Sequence, residues 1–537
     1  MTDTAQKDLD LRDPSGLWRP LCVSAFRDML IADAISDIGT FMQNVGAAWL
    51  MVSLGAGPIY VALTQTAASL PYFLLALPAG SAGDIVDRRK LILFTESWMM
   101  CVALILAILT IAGLMSPWML LVLTFALSAG DALETPAWRA LLPDLVPRED
   151  LAEASALNGI EFNLARAVGP ALAGMIISVA GVAIAFVANF ASFFGVIVVV
   201  ARWKRPARKR SVPPESFAGA TVAAIRYVRH SPAILTVLLR TGIVMFFSSA
   251  LFALLPTVSR SVNPNATGYG LLLGCFGGGA IIGAFVMQLV PARWSTDLKV
   301  SIGIVALGVV IVGMSGLHRL SALAAILLIG GAAWIIFISL INALVQSLAP
   351  DWVRARVLAI FILVYQGSYA LGTAAWGVVA QRSGVRAALV YAGIGTITAA
   401  GVAFFAPFPE STADLSPWNH WRMPAVIEGV DADIEKGPVL VTIEYAVIPE
   451  RTTEFVDSMH EFGRMQRRDG AYQWAIFRDT EVADRYLEIF LVNSWAEHLR
   501  QHERQTQADR VLEGRIHSYL SGEPTVRHLI DTYATET

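Results

Sequence analysis

Cysteine is scarce in this 537-residue chain, and the three present, Cys22, Cys101 and Cys275, fall in or beside apolar runs at spacings that suit neither a disulfide framework nor a metal-ligand set. Charge is scarce too: Asp, Glu, Lys and Arg make up 15% of residues, and the formal net charge is −3. The basic residues sit in short loops rather than on one broad face, so no nucleic-acid partner is expected. A phosphate-binding loop is missing. The glycines of 274–283 lack the Lys-Ser/Thr that would hold phosphates, which excludes ATP-driven chemistry and leaves an ion gradient or the substrate's own gradient as the energy source. The first 20 residues are polar and acidic with no cleavage-site pattern, so a secretory signal is not expected.

What the chain has in abundance is apolar length. Hydrophobic residues reach 55%, there are 42 glycines, and the mean hydropathy is +0.58, values too apolar for an ordinary soluble enzyme of this size. Runs long enough to cross a bilayer occur at 27–52, 58–80, 91–113, 117–138, 158–180, 183–202, 234–257, 268–290, 299–316, 320–346, 355–379 and 386–406. The expected fold is an all-α polytopic membrane protein of twelve transmembrane helices, with the lipid bilayer as its first partner. Counting Lys and Arg over alternate loops gives 21 on the side of the N-terminus and 4 on the other. By the positive-inside rule both termini are expected in the cytoplasm.

The two halves repeat. A shift of 203 places Gly80 on Gly283, Gly169 on Gly372, Gly174 on Gly377 and Lys90 on Arg293, while Pro143-Asp144 resembles Pro350-Asp351 at a shift of 207. The expected organisation is an N-terminal six-helix half (1–202), a cytoplasmic linker (203–233), a second pseudo-symmetric half (234–406), a second linker (407–438) and a soluble domain (439–537). In that last region the order strand (439–448), helix (450–468), two strands (472–477, 485–492), a long helix (494–519) capped by Ser494, and a final strand (525–530) is the split βαβ pattern of an α+β ferredoxin-like domain. His498 and His502 lie four apart on the long helix, but lack the intervening Glu of a zinc-protease motif and an evident third ligand. No metal is therefore expected.

Four constellations stand out. The loop Gly80-Ser-Ala-Gly-Asp84-Ile-Val-Asp87-Arg88-Arg89-Lys90 joins two apolar runs and is a candidate latch for one arrangement of the halves, the alternative being a simple positive-inside anchor. Asp33 and Asp37 share one face of the first helix, and carboxylates in hydrocarbon are functional candidates. The 203 shift aligns Asp37 with Arg240, so a protonation-sensitive Asp37–Arg240 link facing the cavity is expected, with a static ion pair as the alternative. Asp131 and Glu134, three apart near the end of the fourth helix, form a candidate acidic site for protons or cationic substrates; Glu96, Glu161 and Arg166 lie nearby in neighbouring segments. Gly169-Pro170-Ala-Leu-Ala173-Gly174 removes one backbone donor and offers a flat face, the makings of a gate or tight seam in the fifth helix.

These motifs resemble the major facilitator superfamily, and residues 20–405 resemble its bacterial drug and siderophore exporter branch, that of enterobactin exporters and macrolide efflux proteins. Gly80, Asp84, Arg88 and Arg89 match the superfamily loop G-x-x-x-D-R-x-G-R-R, with Ile85 and Asp87 replacing its first Arg and second Gly. Gly169, Pro170 and Gly174 match the antiporter signature G-P-x-x-G-G with one Ala. The family's basic residue of the fourth helix is absent, Asp131 and Glu134 standing there instead. The resemblance implies a proton-gradient-driven exporter of an amphipathic small molecule in the bacterial inner membrane, without a cofactor and without catalytic residues. The last hundred residues resemble the ferredoxin-like domains grouped with antibiotic-biosynthesis monooxygenases, which implies an interaction or regulatory domain able to pair two copies. A membrane-tethered enzyme or sensor, and an uptake carrier of the same fold, are the alternatives.

Overall fold

The structure, a computed structural model, describes residues 16–85, 87–203, 217–291, 293–408, 414–416, 418 and 437–531. Two of the expected features fall outside the described residues: the 80–86 part of the candidate latch beyond its backbone, the Asp84 side chain included, and most of the second linker. Along the chain the helices are α1 (Ser24–Ser53), α2 (Pro58–Ile85), α3 (Arg88–Ile111), α4 (Pro117–Leu145), α5 (Leu151–Ala180), α6 (Val182–Arg202), α7 (Phe217–Arg229), α8 (Pro232–Ser248), α9 (Ala250–Val262), α10 (Ala266–Leu289), α11 (Thr296–Met314), α12 (Leu320–Ser347), α13 (Asp351–Ser383) and α14 (Val385–Ala400). Two compact units result, one of residues 1–211, 239–341 and 362–407, the other of 212–238, 342–361 and 408–537.

The first unit is the helical bundle. Among the described residues ten helical spans are long and apolar enough to cross a membrane, counting α8 and α9 as one, and α1 and α2 occupy the first two apolar runs. Several starts are written locally. Ser116 precedes Pro117 and accepts from the Met119 N–H, Asp87 accepts from the Lys90 N–H at 3.1 Å, and Ser295 accepts from the Leu298 N–H at 3.2 Å. Large apolar side chains point outward as well as inward: Phe94, Ile111, Phe285 and Leu289 are 64%, 68%, 66% and 82% exposed. Such a surface is at rest only in hydrocarbon. Inside the bundle, Ala103, Leu106, Leu120 and Phe186 are fully buried, and Asn189 donates to Gln43 Oε1 at 2.6 Å across α6 and α1.

The second unit contains a four-stranded antiparallel sheet of β1 (Val439–Ala446), β2 (Gln473–Arg478), β3 (Arg485–Val492) and β4 (Thr525–Ile530) in the order β2-β3-β1-β4. With α15 (Thr452–Asp469) after β1, and α16 (Trp495–Glu503) and α17 (Gln507–His517) after β3, this is the expected split βαβ topology. Alternation along β1 turns Val439, Val441, Ile443 and Tyr445 toward Phe455, Met459 and Phe462 of α15. The expected single helix over 494–519 is two helices. Ser494 caps the first as anticipated, but Thr506 and Asp509 form a reciprocal capping box that starts the second.

This unit also holds α7 and the 342–361 stretch. Glu497 of α16 accepts from Arg226 of α7 and from Arg504, each at 2.7 Å, and from Arg500 at 3.3 Å. The Arg504 guanidinium lies 4.6 Å from the centre of the Trp352 ring, and that of Arg468 lies 5.6 Å from Tyr227.

Candidate functional site

The bundle encloses a cavity of about 210 Å³ between α1, α2, α5, α9, α10, α12 and α13. Seven of its sixteen lining residues are aromatic. Phe252 stands edge-on to Phe276 and Trp334, with ring centres 5.1 and 5.2 Å apart, and is tilted against Tyr369 at 6.1 Å. The Tyr369 hydroxyl donates to Gln65 Oε1 at 3.4 Å, which ties α13 of the second half to α2 of the first. Asn44, Arg166, Tyr365 and Gln366 complete the polar lining. Among the described residues Arg166 is the cation of this cavity, and no carboxylate lines it.

The carboxylates gather in the N-terminal half. Asp33 lies within electrostatic reach of Asp37, Glu134 and Glu161, and Asp37 within reach of Asp131. Asp131 accepts a short hydrogen bond from the Tyr72 hydroxyl and is also met by Thr135. Glu134 accepts from Thr95 Oγ1 at 2.7 Å, and the Glu96 carboxyl faces it. Glu96, Glu134 and Glu161 are buried. Two carboxyl groups in contact are stable only with a proton between them, and a cluster of this kind is therefore a place where protons are held. Asp37, Phe41 and Asn44 are spaced by one helical turn each, so the α1 face that carries Asp37 to the cluster goes on to line the cavity.

The expected Asp37–Arg240 link is not formed. Arg240 donates to Asp297 of α11 at 2.5 Å and to the Ala406 carbonyl at 3.2 Å, an arrangement contained within the C-terminal half. The two positions are related by the internal repeat, but pseudo-symmetry equates places in two halves and does not bring them together.

In the loop 87–90, Asp87 caps α3, Arg88 donates to the Ala140 carbonyl at 2.7 Å and reaches Asp144 at 3.5 Å, and Arg89 donates to the Val200 and Ala201 carbonyls at 3.0 and 2.5 Å. The loop therefore staples the ends of α4 and α6. In the second half Arg354 turns back on its own neighbourhood, donating to the Gln346 and Ala349 carbonyls and pairing with Asp351 at 2.7 Å.

The α5 motif forms a seam. A Cβ on Gly174 would sit 2.7 Å from Gly270 Cα on α10, and one on Gly169 would sit 2.6 Å from Phe41 Cβ on α1. Beside this seam Trp49 stacks on Tyr269 at 6.3 Å and Arg260 donates to the Val52 carbonyl, so the two halves meet at the end of the bundle away from the 87–90 loop.

A bundle of membrane-length helices around a central cavity, with carboxylates buried beside it and small-residue seams between helices, is the architecture of a transporter of the major facilitator class. Within that class, the chain belongs to the family of transmembrane secretion effectors, whose profile matches residues 15–536 and so extends over the C-terminal domain.

Relatives agree. The staphyloferrin A transporter of Staphylococcus aureus is 28% identical over 159 residues, 29% of this chain and 40% of that protein. The multidrug efflux pump Tap of Mycolicibacterium fortuitum is 23% identical over 71% of this chain and 95% of its own length, and the enterobactin exporter EntS of Salmonella typhi is 27% identical over 48% and 62%. Among solved structures, a bacterial homologue of the lysosomal transporter Spinster, inward-facing and unoccupied, aligns with a TM-score of 0.59 at 13% identity over 72% of this chain and 96% of that one. The nucleoside transporter NupG aligns with 0.58 at 11% identity over 72% and 99%. These last two are likenesses of fold.

Reading the sequence alone singled out the carboxylates but not the aromatic cavity. Arg166 drew notice only as a neighbour of Glu161, and Trp334, Tyr365 and Tyr369 carried no local signal, since aromatic residues in apolar helices are commonplace until packing brings them together.

Proposed function

We propose that the protein is a secondary exporter that carries an amphipathic small molecule out across the bacterial cytoplasmic membrane by alternating access, in exchange for protons. The observation that carries this reading is the shared face of α1, on which Asp37 belongs to the carboxyl cluster while Phe41 and Asn44 line the cavity one and two turns further on. Substrate and proton then act on the same helix. A carboxyl group shielded from water keeps its proton, and one reached by water on the far side releases it, so the opening of each side sets the charge of the cluster. The names of two relatives, a multidrug efflux pump and an enterobactin exporter, favour outward transport.

In this reading both termini are cytoplasmic, the loop at Arg88 and Arg89 and the α5 seam set the balance of the two halves, and the protein performs no catalysis. The C-terminal domain is regulatory. It also pairs two copies, because Phe477, Leu487 and Leu529 project from the sheet face turned away from the helices and are 52%, 39% and 51% exposed. The mass of the detergent-solubilised particle checks that pairing, a single copy counting against it.

The main test is proton movement in reconstituted vesicles with an imposed pH gradient. Addition of a transported compound should dissipate the gradient in the native protein, and Asp37→Asn should abolish the dissipation while leaving binding intact. Undiminished proton movement in Asp37→Asn would remove Asp37 from the coupling. Accumulation of the compound against the expected direction would identify an uptake carrier instead.

A further inference from the structure

We propose that the central cavity selects anionic aromatic molecules, an aromatic carboxylate being the simplest member, with the acid group against Arg166 and a second acceptor at Trp334 Nε1. This rests on the reading of the cavity as the transport site.

The polar groups of the cavity are out of balance. Among the described residues Arg166 makes no ion pair and no hydrogen bond, although it lines a space walled by Phe252, Tyr365 and Tyr369 and the two tyrosines lie within its electrostatic reach. Trp334 is 2% exposed, and its indole N–H is buried without an acceptor. The buried indole N–H of Trp334 is costly to leave unmade, and the half-buried guanidinium of Arg166 offers a cation to the same space, so both sites favour an occupant that brings acceptors. The amide of Asn44 adapts to either polarity and does not alter the sign.

The competing reading is a cationic lipophile, since aromatic ring faces attract cations. The walls alone would accept one. A guanidinium among those rings reverses the preference, because like charges repel steeply where water is sparse. Among the described residues no carboxylate lines the cavity; Asp131 and Glu134 bond Tyr72, Thr95 and Thr135, and Asp37 and Glu161 stand outside the lining. The acidic cluster thus serves protons, and the sequence-based option of a cationic substrate site at Asp131 and Glu134 gives way to an anion site about Arg166.

The test uses the full-length protein in nanodiscs and one ring system in three charge states: 2-naphthoate, 2-naphthamide and 2-naphthylmethylammonium, titrated calorimetrically. Naphthoate should bind at least tenfold more tightly than the ammonium compound, with the amide between them. Arg166→Gln should abolish the ranking, Arg166→Lys should keep its order at weaker affinity, and Trp334→Phe should weaken naphthoate and naphthamide alike. Equal binding of the three, tighter binding of the cation, absence of naphthoate binding, or naphthoate binding unchanged in Arg166→Gln would each overturn the proposal. The three-compound ranking in the native protein decides the matter even if a variant does not fold. Charge-ranked binding without coupled proton movement would sink the antiport reading and leave the anion site standing; proton-coupled export of the cation would do the reverse.

Discussion

Glu488 is a carboxyl group with no exposure to solvent, held by the Tyr445 hydroxyl at 2.7 Å and Trp474 Nε1 at 2.6 Å, and burial pushes it up to about 7. Across the same domain core, His498 is equally buried. Its Nε2 is 3.1 Å from that of His502, its ring centre is 4.8 Å from that of His528, and burial followed by the two neighbouring imidazoles takes it down to about 3. His502 falls to about 4 through burial and then the His528 imidazole, while burial raises Glu513 to about 7.

The signs oppose. Between pH 7 and 5 the unfolded chain takes up protons at these histidines and the folded domain does not, so acidification destabilises it by about 2 kcal/mol for His498 alone. Over the same window the folded domain binds a proton at Glu488 that the unfolded chain still lacks, which stabilises it by roughly the same amount. The native domain is therefore expected to change little in stability from pH 7 to 5. Glu488→Gln keeps an oxygen to accept from Trp474 Nε1, gives the Tyr445 hydroxyl an amide N–H to accept from, and removes the titration, so its stability should fall by on the order of 2 kcal/mol more than the native protein's over that range. Hydrogen exchange of β1 and β3 in the full-length protein at the two pH values checks this, and a parallel response of both proteins would place the titration elsewhere.

At the scale of elements, much was legible because apolar length and turn chemistry are local. Ser116-Pro117 and Ser494 with Glu497 three residues on mark the starts where they occur, and the alternation over 439–446 marks the first strand of the soluble domain. Two interruptions were not legible, for different reasons. The break between α16 and α17 does have a local cause, the Thr506–Asp509 box, but the charged pattern runs through it without a pause. The break between α8 and α9 is tertiary: the Phe246 carbonyl accepts from Trp376 Nε1 at 2.9 Å and from Ser249 Oγ at 2.8 Å, and a helix loses its regularity where side chains take its acceptors. The same limit applies to the candidate site. Asp37 was visible as a charge in hydrocarbon, whereas the partner of Arg240 is Asp297, a residue at the start of a helix in the same half, and no register between the halves predicts a contact within one of them.

Taken whole, the bundle carries ties of two kinds, those at the ends of neighbouring helices and those along close-packed seams. In the first half Arg88 and Arg89 tie α3 to α4 and α6, and in the second Arg354 bonds the turn that precedes it. Movement between the halves then depends on the seams that join them. At Gly174 and Gly270 the backbones of α5 and α10 are too close for any side chain, and replacing Gly174 by Ala would put a methyl group 2.7 Å from Gly270 Cα, with backbone on both sides and nothing flexible to give way. Overpacking of this kind costs about 1–3 kcal/mol, and because the strain is felt only while that end is closed, the cost falls on one conformation. Each 1.4 kcal/mol is about a tenfold change in the ratio of closed to open populations. Spin labels at Leu54→Cys and Asn265→Cys, on the native cysteines' replacements, should therefore show a longer mean separation in Gly174→Ala than in the parent. Gly159→Ala, on the same helix with open space where its methyl would go, should leave the distances unchanged. An identical distance distribution in the parent and in Gly174→Ala would mean that the α5–α10 seam yields without opening, and that Trp49–Tyr269 and Arg260–Val52 hold the end shut without it.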